Sequence, residues 1–314
     1  MVKRLGSAGI SAGISAGISI VCGVLAAGPY LIAIVGSTGS IILIYLAQLP
    51  LFAAGLWFGA GASALAGCAA VLVLAGAGSL TVAAAFAALN AAPVALLVRQ
   101  SLLARNVSGN AVEWYPPGLL TAWLTGFGLA AVAATVIFLG GQQGMEAELR
   151  GVLAPVLAGR LDEVTPEHEE MLAFIAFVLP GIIAASWMLM TATNGSLAQG
   201  LLARCGASWR PSPDLAALGL PMWIPVLLAC AAGATFLGGT ARFLGVNVMI
   251  VLAVPFCLAG LAVLHTVARR FPRPAITLAT FYALAAVFGW PFLLIAVLGL
   301  LDSPLGLRRR LAQP

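Results

Sequence analysis

The sequence predicts an all-α protein, a polytopic transmembrane helix bundle of about 8–10 membrane segments with one short extracytoplasmic amphipathic helix. Three observations carry this expectation. Only 8% of the 314 residues are charged while 62% are hydrophobic, a balance that makes lipid rather than water the main solvent. The apolar stretches break at polar, Gly and Pro punctuation into pieces of roughly 17–25 residues, enough to cross a hydrocarbon core of about 30 Å. Ala, Gly and Leu dominate these pieces and period-two alternation is absent, which sets closed β-barrels aside.

In chain order the expected spans are 8–27, 40–58, 62–78, 80–98, 118–140, 171–192, 216–238, 244–268 and 274–301, all within one integral membrane domain covering 1–314. The stretch 30–39 is too short to cross and is expected to extend a neighbour. The first span is read as uncleaved, because its Gly- and Ser-rich start makes a poor signal-peptide core. It repeats Gly9-Ile10-Ser11-Ala12 three times with small changes, which stacks Gly9, Gly13 and Gly17 on one helix stripe and Ser11, Ser15 and Ser19 on another. Such stripes let a second backbone approach closely, so this face is expected to pack inside the bundle or against a partner subunit.

The polar residues within spans include Gln48, Asn90, Asn194 and Asn247, of which Asn90 precedes Pro93 and Asn194 adjoins Gly195. Asn194 and Gly195 are expected to interrupt 166–204, which as one helix at 1.5 Å per residue overshoots the bilayer. Trp187 lies about two turns earlier on the same face. Helix breaks at membrane depth are tolerated where the backbone they release lines a cavity, so Asn90, Trp187 and Asn194 are the candidate substrate-binding residues. The alternative is that they are kinks and interhelical hydrogen bonds. In the last span Gly289, Trp290 and Pro291 are expected to split 274–301 into two halves that enter and return, keeping Arg308, Arg309 and Arg310 in the cytoplasm.

Orientation follows from the basic residues, which favour the cytoplasmic side. With the N-terminus inside, Lys3, Arg4, Arg99, Arg105, Arg204, Arg210, Arg269, Arg270 and Arg273 fall in the cytoplasm. The loop 141–170, rich in Glu and Asp, falls outside. Within it Met145, Leu149, Val152, Leu153, Val156 and Leu157 recur at helical spacing, predicting the amphipathic surface helix. Thr165 and Pro166 read as the cap and first residue of the next helix. His168 among Glu167, Glu169 and Glu170 is either a solvated helix start or a pH- or metal-responsive cluster.

Composition also narrows the chemistry. The net charge of +5 is spread over separate loops, which points to anionic lipid headgroups and away from nucleic acid. Five cysteines without Cys-x-x-Cys spacing read as apolar filler rather than metal ligands. The spans offer no ionisable residue at mid-membrane for ion coupling and no catalytic motif, so neither enzyme, metal nor cofactor is expected. Asp302 is expected to pair with the arginine triplet or cap the last turn.

The Gly28-Pro29-Tyr30 and Leu49-Pro50-Leu51 motifs, the basic loop after the fourth span, and the run from Gly260 to His265 together resemble the YybS-like family of uncharacterised membrane proteins. So does the ending Gly299-Leu300-Leu301-Asp302 ahead of the arginines. That family is distantly similar to the substrate-binding subunits of energy-coupling-factor transporters, although this chain has more spans than those subunits. The resemblance implies a bacterial cytoplasmic (inner) membrane and a solute-binding, transporter-like role. The expectation is thus a non-enzymatic subunit that binds a small-molecule solute and needs a separate energising partner. The alternative is a membrane scaffold or regulatory protein, binding protein partners and no solute.

Overall fold

Proline and glycine set the helix boundaries of this chain. The computed structural model describes residues 12–34, 36, 40–107, 111–157, 166–213 and 218–312. The first helix, α1 (Ala12–Ile34), absorbs the short piece after Pro29. The second expected span divides into α2 (Ser40–Tyr45) and α3 (Gln48–Phe58), and the third is α4 (Ala60–Gly76). The fourth is α5 (Leu80–Phe86) and α6 (Ala92–Ser101), joined by a π-helical turn, Ala87–Ala91, just ahead of Pro93. A β-hairpin, β1 (Ala104–Val107) with β2 (Ala111–Trp114), then leads into α7 (Pro117–Leu139). The amphipathic surface helix is present as α8 (Gln142–Leu157), where Arg150 pairs with Glu169 at 2.6 Å. Thr165 lies outside the described residues.

The break expected at Asn194 and Gly195 does not occur. The helix α9 (Pro166–Arg204) is continuous for 39 residues. Asn194 Nδ2 donates back to Met190 C=O at 2.8 Å, a bond compatible with helical backbone. Gly195 continues the helix as well, and a Cβ there would stand at ordinary contact distance, 3.4 Å, from the Phe52 ring. Downstream come α10 (Trp223–Ala234), α11 (Gly239–Ala268), α12 (Pro274–Phe288), α13 (Pro291–Leu305) and α14 (Leu307–Ala312).

Among the described residues five helices are long and apolar enough to cross a membrane: Ala12–Ile34, Leu80–Ser101, Pro117–Leu139, Pro166–Arg204 and Gly239–Ala268. Shorter apolar helices, Ile42–Phe58, Ala60–Gly76, Trp223–Ala234, Pro274–Ala285 and Pro291–Leu305, accompany them. The described chain is thus almost entirely α-helical, with five helices long and apolar enough to span a membrane.

The chain groups into two compact units. The first comprises Met1–Leu120 with Leu189–Asp214. There α1 packs on α3 and α4. Gly23, not the Gly13 stripe, makes the close approach: a Cβ on Gly23 would strike the Ala66 carbonyl oxygen, whereas Gly13 and Gly17 have nothing within 4 Å. Of the two expected stripes, the described glycines Gly13 and Gly17 thus face open space, while the serine stripe reaches the contact: Ser19 is buried and Gly23 follows it four residues on.

The second unit comprises Thr121–Met188 with Leu215–Pro314. Its centre is the α11–α13 contact, where Gly260 meets the Ile295 carbonyl and Gly299 meets the Phe256 carbonyl and the Gly260 amide. The pairs run in opposite order along the two helices, so α13 is antiparallel to α11. Gly289, at φ +69°, does split the last segment as expected. The return to the C-terminal end of α11 does not follow, because α13 leads away from that end. Three residues beyond Gly299, about 4.5 Å along the helix, Asp302 accepts from Arg308 N at 2.9 Å and pairs with Arg308 Nη2 at 2.6 Å, both pairing and capping as expected.

Candidate functional site

Proline removes a backbone donor, and a carbonyl it leaves unserved inside an apolar bundle needs a partner from elsewhere. In the first unit two prolines, Pro50 and Pro93, lie near Gln48, and close to each a side-chain amide donates to a backbone carbonyl. Ahead of Pro50 the chain tightens, with Ala47 N–H donating to Ile44 and Leu49 N–H to Leu46 at 3.0 Å, so the amide of Leu49 turns away from Tyr45 C=O. Asn194 Nδ2 donates to that carbonyl at 2.6 Å. In the α5–α6 segment Pro93 has no N–H to give Leu89 C=O four residues back. Gln48 Nε2 donates to Leu89 C=O at 3.4 Å and to Asn90 Oδ1 at 3.1 Å. Asn90 Nδ2 in turn donates to the Tyr30 hydroxyl at 3.0 Å. Tyr30 is steadied by an edge-on contact with Phe86, 5.2 Å between ring centres.

These partners fix which way each carboxamide points. Both partners of Asn194 Nδ2 are backbone carbonyls, so the amide nitrogen cannot be exchanged for its oxygen. Its Oδ1 faces the other way, and so does Gln48 Oε1. Neither accepts a hydrogen bond from the described residues, although Gln48 is 0% and Asn194 1% exposed. A buried acceptor without a donor costs about 1–3 kcal/mol. Both residues bond to the Tyr45–Gln48 stretch or belong to it, so two such acceptors belong to one helix break.

The three residues expected to line a solute site divide between the units. Asn90 and Asn194 come to opposite flanks of the Tyr45–Gln48 segment in the first unit. Both atoms of the Asn90 carboxamide are engaged, which makes it a positioning residue for Gln48. Trp187 falls in the second unit, half-buried and edge-on to Phe127 with 6.4 Å between ring centres. Gln48 and Tyr30 were not among the expected site residues. The available signal was a Gln two residues before a proline in an otherwise apolar span.

At one end of the same unit Arg210 closes the β-hairpin. Its guanidinium donates to Ser101 C=O at 3.1 Å and Tyr115 C=O at 3.0 Å, while Gln199 Nε2 holds Arg210 C=O at 2.7 Å. Burial lowers its pKa from the ordinary arginine value. The carbonyls at the end of α6 are the negative pole of that helix, so Arg210 fastens a loop. No group of three or more metal-ligating side chains comes together among the described residues.

Comparison with protein-family models, curated proteins and solved structures finds no match for this chain.

Proposed function

We propose that this chain is a multi-pass membrane protein that binds a small solute at the Tyr45–Gln48 break, as a non-enzymatic, transporter-like subunit working with a separate energising partner. One observation supports this above the others: Gln48 Oε1 and Asn194 Oδ1 are buried acceptors whose amide nitrogens are pinned to carbonyls. The matching ligand carries hydrogen-bond donors, as a cation, an amine or an amide does. Carboxamides, a phenol and backbone carbonyls bind such groups without exchanging protons at neutral pH, which favours binding over catalysis. The resemblance to the YybS-like proteins is in keeping with this reading. The full engagement of Asn90 favours the second reading, a scaffold whose polar residues only mend helix breaks.

A thermal-shift screen of the purified protein against metal ions, amines, nucleobases and vitamins tests the choice. The solute reading expects at least one donor-bearing compound to raise the unfolding temperature of wild type and not of Asn194→Ala. A panel without any stabilising compound, together with a destabilised variant, leaves the scaffold in front.

The proposed setting is the bacterial cytoplasmic membrane, with the N-terminus inside and the 141–170 loop outside, on the strength of the basic-residue asymmetry. In a Cys-free chain carrying Glu148→Cys, an impermeant thiol reagent on intact cells labels position 148 in this orientation. Shielding at 148 reverses it.

A further inference from the structure

In the second unit α12 stands off from α11 and α13, leaving between them a groove of about 370 Å³. Its walls are Leu264 of α11, Phe281 and Phe288 of α12, Trp290 of the turn, and Leu294 and Leu298 of α13. Phe288 and Trp290 are more than half exposed, so the groove opens sideways and is not a sealed core. Towards the C-terminal end of α11 the chemistry changes in steps. One residue past Leu264, His265 meets Tyr282 with 6.0 Å between ring centres. Its Nδ1 is 2.8 Å from Leu261 C=O, which fixes the proton there and turns Nε2 outward. Five residues past Leu264, about 7.5 Å along the helix, come Arg269, Arg270 and then Arg273, all exposed.

The order is apolar wall, then phenol and imidazole, then three guanidiniums. An anionic phospholipid presents the same order as acyl chain, glycerol region and phosphate. We propose that this groove is a binding site for one anionic phospholipid, an acyl chain lying against Trp290 and Leu294 and the headgroup phosphate held by Arg269, Arg270 and Arg273. Charge complementarity selects this occupant over a zwitterionic lipid. A bare apolar groove makes no such choice, and basic residues at the cytoplasmic ends of membrane helices attract anionic headgroups. All three arginines lie within five residues, in the turn that joins α11 to α12.

Trp290 supplies the reporter. The full chain is reconstituted in phosphatidylcholine vesicles containing either bromine-labelled phosphatidylglycerol or bromine-labelled phosphatidylcholine, and the emission lost in Trp290→Phe isolates the signal of this one tryptophan. The proposal expects phosphatidylglycerol to quench Trp290 with an apparent preference of about five-fold or more over phosphatidylcholine, the order of one engaged arginine. In R269Q/R270Q/R273Q the preference disappears while quenching by phosphatidylcholine is unchanged. Glycerol phosphate without acyl chains does not compete. Equal quenching of wild type by both lipids overturns the proposal, as does a preference that survives the triple substitution. Should a variant fail to fold, native mass spectrometry of the unmodified protein given both lipids in equal amount decides: retained phosphatidylglycerol supports the site, and equal retention rejects it.

Discussion

Asn247 in the second unit and Asn194 in the first use the same bonds to different ends. Each lies buried on a long helix and donates from Nδ2 to its own helix four residues back, Asn247 to Phe243 C=O and Asn194 to Met190 C=O, both at 2.8 Å. Each also donates across to another segment at a proline-disturbed place. Asn247 reaches Phe177 C=O at 2.8 Å, and its Oδ1 accepts from Gly181 N–H at 2.6 Å. Phe177 and Gly181 flank Pro180 and are the pair that bond to each other in an undisturbed helix, so one side chain mends both halves of the break. Asn194 mends one half, the Tyr45 carbonyl, and leaves its oxygen over. A closed clamp needs nothing further. The acceptor left over at Asn194 is the feature on which the proposed solute reading rests.

The comparison is broken most forcefully at Asn247. Replacing it with Ala leaves the buried Phe177 C=O and Gly181 N–H without that partner, each worth about 1–3 kcal/mol. We expect Asn247→Ala to lose about 3 kcal/mol of unfolding free energy in detergent, read from the denaturation midpoint. A loss below about 1 kcal/mol means that the helix around Pro180 mends itself.

A second contrast sharpens what a closed contact requires. Gly23→Leu forces a side chain onto the Ala66 carbonyl and is expected to cost about 1–3 kcal/mol, whereas Gly13→Leu points into open space and is expected to stay within about 0.5 kcal/mol. Thermal unfolding of both variants side by side checks the order. Equal losses place a packing partner on the Gly13 face.

The difference between the two glycines also marks the limit of reading this chain from its sequence. Length and hydropathy were enough for the helical bundle and most spans, since these are local properties. The breaks at Pro93 and Gly289 were legible for the same reason, a missing N–H or a positive φ being a property of one residue, whereas 40–58 was read as one span and the break ahead of Pro50 was not foreseen. The stripe of Gly13 and Gly17 was misleading because a repeat says which residues share a face and not what that face meets. Asn194 and Gly195 looked like punctuation, yet both sit inside a continuous helix, the Asn bonded back to its own turn. The Arg105–Glu113 hairpin went unforeseen, although Gly109 and Asn110 between two short runs carried the turn signal. At the candidate site Asn90 and Asn194 could be named from their surroundings in the chain. Gln48, whose oxygen matters most, could be recognised only once Leu89 and Asn90 were beside it.

The most direct test of the two-clamp account is the unfolding free energy of Asn194→Leu set against that of Asn247→Leu, measured without ligand in the same detergent. Leucine matches the carboxamide in size and removes its hydrogen bonds. At 247 it leaves a donor and an acceptor unpaired, and the account predicts a loss of about 3 kcal/mol. At 194 it removes the bond to the Tyr45 carbonyl but also a buried oxygen that accepts no hydrogen bond from the described residues, so the two effects oppose and the loss is expected to be clearly smaller than at 247. Losses of equal size at both positions would contradict the account, because they would mean that the Asn194 oxygen is already satisfied within the protein.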